Sequence, residues 1–273
     1  MRKSLLSLSL ITVLLAGCSD KTVENTPATS SAPSDSPPVS VQKQADSEVI
    51  FLEKKDLTGD GKLETVSLRG LDKENSNQTA FKRLQIRVEG EGWNQEALIE
   101  SESPVKPLDL AILDLTADGH KEIAVKTDRG STGKGIVQLT LFTVSADRKL
   151  EEMKFDNSRN PEFRLRLLNT NQYELLDPLL NKAWKLQLEE EKVAATGNPG
   201  MSGQRPEIDL PYEWNWTDAD NDGKIDLISR RAVWIASHSN MLFDVQTVYK
   251  WDGKVWKPQG YTLIPEKGVK IVN

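Results

Sequence analysis

The segment 218–226 reads Asp-Ala-Asp-Asn-Asp-Gly-Lys-Ile-Asp, with carboxylates at its positions 1, 3, 5 and 9 and glycine at position 6. Side chains on alternate residues converge only where the chain curls around a point. Gly223 permits that curl because glycine takes φ > 0 without steric cost. Carboxylates gathered in this way repel one another unless a cation sits among them. An all-oxygen ligand set suits a hard ion, and a flexible loop suits Ca²⁺ better than Mg²⁺.

The pattern occurs twice more, as Asp-Leu-Thr-Gly-Asp-Gly-Lys-Leu-Glu over 56–64 and Asp-Leu-Thr-Ala-Asp-Gly-His-Lys-Glu over 114–122. The plainer reading of a single copy is a solvated acidic turn; three copies in one register do not arise readily by chance. The candidate ligands are Asp56, Thr58, Asp60 and Glu64 in the first loop, Asp114, Thr116, Asp118 and Glu122 in the second, and Asp218, Asp220, Asp222 and Asp226 in the third. Lys62, His120 and Lys224, at position 7, would contribute their backbone carbonyls. An EF-hand needs a bidentate Glu at position 12; here that position holds Ser67, Val125 and Ser229. The fourth acid comes at position 9 instead, at the start of a β-rich apolar segment. Ligand charge count tunes calcium affinity, so the third loop is expected to bind most tightly.

The loop starts lie 58 and then 104 residues apart, the second gap close to twice the first. A unit of about 50 to 60 residues, with one copy lacking the loop, is the signature of a propeller or an array. Strand-like segments precede each loop at 49–52, 108–113 and 212–216. This strand–loop–strand unit resembles the FG-GAP and VCBS repeats of integrin-type β-propellers. The resemblance covers the three loops and their flanking strands, and not about 155 to 210. It implies a bound calcium ion of structural role, in a loop joining the first two strands of a blade. Counting units gives four blades, at about 48–103, 108–155, 161–190 and 210–264, with the third degraded. A β-sandwich carrying calcium loops is the alternative.

Residues 1–17 read as an export signal. Arg2 and Lys3 precede a short apolar stretch, Leu5 to Leu15, too short to span a bilayer. The stretch ends in Leu-Ala-Gly-Cys, which resembles the lipobox of bacterial lipoproteins, and Cys18 is the chain's single cysteine. The resemblance implies diacylglycerol on Cys18 and an extracytoplasmic protein lipid-anchored to a bacterial membrane. Residue 19 is Ser, so the Asp that favours inner-membrane retention is missing. One cysteine excludes an intrachain disulfide. Residues 18–47, rich in Ser, Thr and Pro, cannot bury enough apolar area to offset chain entropy. They read as a disordered tether reaching roughly 30 Å from the membrane. Loss of residues 1–17 removes Arg2 and Lys3 and leaves 33 basic against 41 acidic residues, net −8. That charge argues against nucleic acid as a partner, which requires a basic surface.

Residues 48–265 read as one all-β domain, with 266–273 as a C-terminal tail. Apolar residues alternate over 81–88, 136–144, 163–167 and 184–188, and Asp252-Gly253 marks a hairpin. The segment 188–195 reads as a loop with at most one helical turn. Catalytic motifs are lacking. His238, in Ser-His-Ser-Asn, is not a triad on sequence adjacency. The glycine-rich run 130–135 lacks phosphate-loop spacing and leads into a strand, so it reads as a hairpin connection. Five of seven tryptophans follow residue 210, and they fit a β core better than a sugar-stacking platform. Three functions stay open. The leading one is a surface-anchored, calcium-stabilised binding or scaffold lipoprotein with a protein or glycan ligand, and no enzyme. The others are a polysaccharide-active or carbohydrate-binding envelope protein, and an extracellular calcium sensor.

Overall fold

A computed structural model describes residues 47–73, 79–130, 133–156, 160–195 and 205–272. The export signal, Cys18 and the tether up to residue 46 lie outside the described residues. The domain is almost entirely antiparallel β. β1 (Ser47–Lys55), β2 (Glu64–Lys73), β3 (Phe81–Gly90), β4 (Trp93–Leu113), β5 (Glu122–Asp128), β6 (Val137–Val144) and β7 (Leu150–Met153) form one seven-stranded meander in chain order. The expected alternation is present: Leu84, Ile86 and Val88 of β3 are fully buried, with more exposed residues between them.

β4 is the unexpected element. It is 21 residues long and serves two neighbours, pairing β3 up to Val105 and β5 from Lys106 to Leu113. The unit count divides the chain here, between about 103 and 108, and Pro104 and Pro107 in this stretch cannot donate to a ladder. The structure absorbs them instead at pairing irregularities, between Phe81 and Arg83 opposite the first and between Pro107 and Asp109 at the second. The first two expected units are therefore one continuous sheet.

β8 (Arg164–Asn169), β9 (Gln172–Asp177) and β10 (Lys182–Leu188) follow as hairpins. A short helix, α1 (Glu190–Ala195), comes next, where the sequence suggests no more than one turn. The Glu189 carbonyl accepts the N–H groups of Lys192 and Val193, and the Val193 side chain is buried, so tertiary packing holds a segment of weak intrinsic preference. β11 (Glu207–Ile208), β12 (Glu213–Thr217), β13 (Asp226–Ile235), β14 (Ser237–Trp251) and β15 (Trp256–Pro265) build a five-stranded sheet. The hairpin at Asp252-Gly253 forms as expected, with Gly253 at φ +94° and the Asp252 carboxylate accepting from Lys254 and Val255. Residues past 265 are not a loose tail. β16 (Val269–Val272) pairs with β10 and completes the four-stranded sheet of β8 to β10, so the domain runs to 272.

Three cores join the sheets. Leu68, Ile86, Val125 and Phe142 lie in a core inside the curl of the seven-stranded sheet. Leu141 and Met153 of that sheet meet Trp214, Leu227, Tyr249 and Trp256 of the five-stranded one. Val233, Phe243 and Val245 meet Phe163, Tyr173 and Leu186 of the four-stranded sheet. Trp256 is wholly buried and Trp214 is 8 % exposed, so two of the late tryptophans fill a sheet-to-sheet seam. Backbone hydrogen bonds also stitch this seam: Trp256 N–H donates to the Lys154 carbonyl, and Asp156 N–H donates to the Trp256 carbonyl.

Candidate metal centre

Each acidic loop joins two hydrogen-bonded neighbours: β1 to β2, β4 to β5, and β12 to β13. The position-9 acid is the first residue of the following strand in every case, namely Glu64, Glu122 and Asp226. All three are at most 2 % exposed. Each reaches back to the start of its loop. Glu64 accepts from Leu57 N–H at 2.8 Å, Glu122 from Leu115 N–H at 2.7 Å, and Asp226 from Ala219 N–H at 3.0 Å. Apolar burial of Leu57 and Leu115 fixes those donors in the first two loops.

The rest of the frame is equally repetitive. The position-1 carboxylate accepts from the position-6 glycine N–H at 3.0, 3.0 and 2.9 Å for Asp56, Asp114 and Asp218. The position-5 carboxylate accepts from the position-7 N–H at 2.9 Å in Asp60, Asp118 and Asp222. The position-6 glycines take φ +82°, +90° and +84°, as the curl requires. Position 4 is also left-handed in every loop, at Gly59 (φ +70°), Ala117 (φ +59°) and Asn221 (φ +61°). Gly59 and Asn221 suit that conformation, whereas alanine does not, so Ala117 hid the shared position-4 conformation from sequence reading.

The three loops lie side by side. Lys121 N–H donates to the Leu57 carbonyl at 2.9 Å, tying the second loop to the first. The second and third loops line one cavity of about 580 Å³, with Thr116 and Asp118 on one side and Asp222 and Asp226 on the other. In the third loop, carboxylate oxygens of Asp218, Asp220 and Asp222 lie within 4.8 Å of one another. In the first, Thr58 Oγ1 is buried with no hydrogen-bond partner. In the second, Thr116 Oγ1 is 3.5 Å from Glu122 Oε1.

Sequence reading missed Lys250. Its ammonium lies 2.8 Å from Asp220, 2.9 Å from Asp222 and 3.5 Å from Asp226. Lys250 is on β14, and only the pairing of β13 with β14 brings it to this loop. Its hydrogen bonds to Asp220 and then Asp222 raise its own pKa, and the bond from Lys250 is the largest cause lowering that of Asp222. Glu122 moves the other way. Burial pushes its carboxyl up to about 7; the Leu115 N–H opposes the shift, and Asp118 and Asp114 add to it.

The Lys62 ammonium pairs with Glu91 at 2.6 Å, on the surface. His238 stacks on the Trp234 ring, with centroids 4.3 Å apart, and its Nε2 is 3.2 Å from Asp209. Ser237 and Ser239 hydrogen-bond to each other at 2.8 Å. No family model, no curated protein and no solved structure matches this chain.

Proposed function

We propose that this chain is a lipid-anchored binding or scaffold protein of the bacterial envelope, with calcium holding the strand-joining loops of a propeller-like domain. The observation that carries the metal reading is the repetition of one loop frame in three places, with oxygen atoms left over at the ligand positions. Thr58 Oγ1 supports it most directly, because a buried hydroxyl without a partner is costly and a cation would engage its lone pairs. Asp, Thr or Asp, Asp and the terminal acid would supply side-chain oxygens, and Lys62, His120 and Lys224 their carbonyls. Bound calcium would neutralise the clustered charge and pin each turn, which fixes the register of the strands that follow.

The blade reading has support in the strand count. Four antiparallel groups of four strands can be traced: β1 to β4, the end of β4 to β7, β8 to β10 with β16, and β12 to β15. Anchoring rests on the Leu-Ala-Gly-Cys motif at Cys18; no helix among the described residues is long and apolar enough to cross a membrane. A non-catalytic role agrees with the use of the conspicuous acids in loop frames, and of His238 in a stacked pair with Trp234.

Thermal melting tests the metal reading. Metal that binds only the folded state stabilises by about 2.7 kcal/mol per site at one hundred times Kd. Chelation should lower the melting temperature by several degrees, and millimolar Ca²⁺ should restore it where equal Mg²⁺ does so poorly. A melting curve that EDTA leaves unmoved in metal-free buffer would reduce the loops to ordinary acidic turns.

A further inference from the structure

The inward face of β13 reads Leu227, Ser229, Arg231, Val233, Ile235, by the period-two alternation of a strand. All five are buried, and Arg231 is only 7 % exposed. A guanidinium in the middle of a core face is expensive unless a carboxylate accompanies it. None does so among the described residues. Arg231 Nη1 donates to the Asn160 side-chain carbonyl at 2.9 Å, Nη2 donates to Thr247 Oγ1 at 3.3 Å, and Nε has no partner. Burial lowers its pKa; the Tyr249 phenol opposes the shift, and no Asp or Glu does.

Arg231 lines a cavity of about 330 Å³ at the seam between the seven-stranded and five-stranded sheets. The apolar wall is a ring triangle, Phe155, Trp214 and Tyr249, with centroids 5.3 to 5.6 Å apart. A second arginine, Arg129, lines the same cavity. It also lacks a carboxylate partner among the described residues, and its Nε is buried and unpaired. Gln138 Oε1 is a third unpaired buried polar atom on the lining. Arg231 faces a neighbouring depression too, where Glu162, Arg205 and Asp209 contribute; Asp209 is already engaged by Trp234 Nε1 at 2.9 Å and by His238.

Of the described arginines that lack a carboxylate ion pair, Arg231 and Arg129 face one cavity walled by aromatic rings; Arg129 Nη2 also donates to the Glu100 carbonyl at 3.5 Å. We propose that this cavity is a binding site for an organic carboxylate carried on an apolar or aromatic body, with Arg231 and Arg129 as the anion-binding pair. A carboxylate accepts two parallel N–H groups from a guanidinium, which is the recognition Arg geometry favours. The ring triangle takes the apolar body, and Gln138 Oε1 accepts a donor on the ligand, such as an amide N–H near the carboxylate. The free volume lies at the lower end of small-molecule sites, so the occupant is an acylated amino acid or the last residue of a peptide. The site is separate from the acidic loops and does not depend on the metal reading.

Calorimetric titration of the purified protein with N-acetyl-phenylalanine, its carboxamide, and a Phe-terminated pentapeptide with free or amidated C-terminus tests this. The free acids should bind and the amides should not. A pentapeptide that binds as well as the acetylated amino acid identifies a peptide end; one that fails identifies a free small molecule. Arg231→Met and the half-exposed Arg129→Gln should each weaken binding of the acid by at least about tenfold, the scale of one lost charge-assisted contact. A merely structural arginine makes a different prediction for melting. The inference requires ligand-free Arg231→Met to melt no lower than the parent, because the variant removes an uncompensated buried charge. Equal binding of acid and amide, absence of binding at millimolar acid, or unchanged affinity in Arg129→Gln would each overturn the assignment.

Discussion

In the third loop the Lys250 ammonium stands among Asp220, Asp222 and Asp226, whereas the acids of the second loop have no ion pair with any described lysine or arginine. The two loops share the same core backbone frame, and apart from the Thr116 contacts to Glu122 they differ in charge compensation. The third loop balances its clustered carboxylates with an internal cation. Below about pH 7 the second does so with a proton on Glu122, because the carboxyl is buried and lies beside Asp118 and Asp114. Counting carboxylates alone would rank the third loop as the stronger metal site. Under the calcium reading, an incoming ion would have to displace Lys250 there, and a proton in the second loop.

The largest effect expected from this contrast is a pH dependence confined to the second loop. Glu122 has a folded pKa of about 7 against an ordinary value of 4.5. The folded state binds the proton more tightly, so this contribution to metal-free stability is fully present below about pH 4.5 and is lost as pH rises through 7. The loss is on the order of 3 kcal/mol, from about 1.4 kcal/mol per pKa unit. In EDTA at pH 8, Glu122→Gln should therefore be more stable than the parent in denaturant titration, and the two should converge near pH 4.5. Calcium should reverse the order at pH 8, since the metal takes the place of the proton. A parent that stays less stable than Glu122→Gln in saturating calcium would break the proton-for-metal comparison.

Next in size is backbone strain at position 4. Ala117 sits at φ +59° where the first loop has Gly59 at +70°. A left-handed alanine costs about 1 kcal/mol relative to glycine. Ala117→Gly should raise stability by about that much, and Gly59→Ala should lower it similarly, since its Cβ would meet the Gly119 carbonyl at an ordinary 3.5 Å. Thermal melting of both, with and without calcium, checks whether the frame exists before metal binds. Opposite signs with chelator present support a preformed frame; effects that appear only with calcium contradict it.

The smallest effect concerns Lys250. Lys250→Met should strengthen calcium binding at the third loop severalfold, leave the second unchanged, and lower stability slightly when metal is removed. Weaker binding in Lys250→Met would mean that the lysine orders the ligands rather than competing with the ion.

Much of this was legible in the residues, for identifiable reasons. Loop acids at fixed spacing, glycine at the left-handed position 6, and alternating apolar strands are local signals, and each appears where the sequence puts it. The failures are non-local. The unit count divides the chain between about 103 and 108, yet pairing irregularities around Pro104 and Pro107 let β4 run through and fuse two units. The Val-Lys-Ile-Val segment at 269–272 carries too little local pattern to be recognised as a strand, and only its pairing with β10 defines it. Lys250 and Arg231 act through neighbours from other strands, which no spacing within the chain reveals. Ala117 broke the glycine-like rule at position 4 and so concealed a conformation common to all three loops.

Calcium titration of chelator-stripped protein is the most direct test of the central claim. Isothermal calorimetry on the parent and on Asp56→Asn, Asp114→Asn and Asp218→Asn should show saturable binding with one ion per loop. Each substitution should remove one site and leave the other two. Absence of saturable heat at millimolar Ca²⁺, or an unchanged stoichiometry in all three variants, would contradict the assignment of these loops as calcium sites.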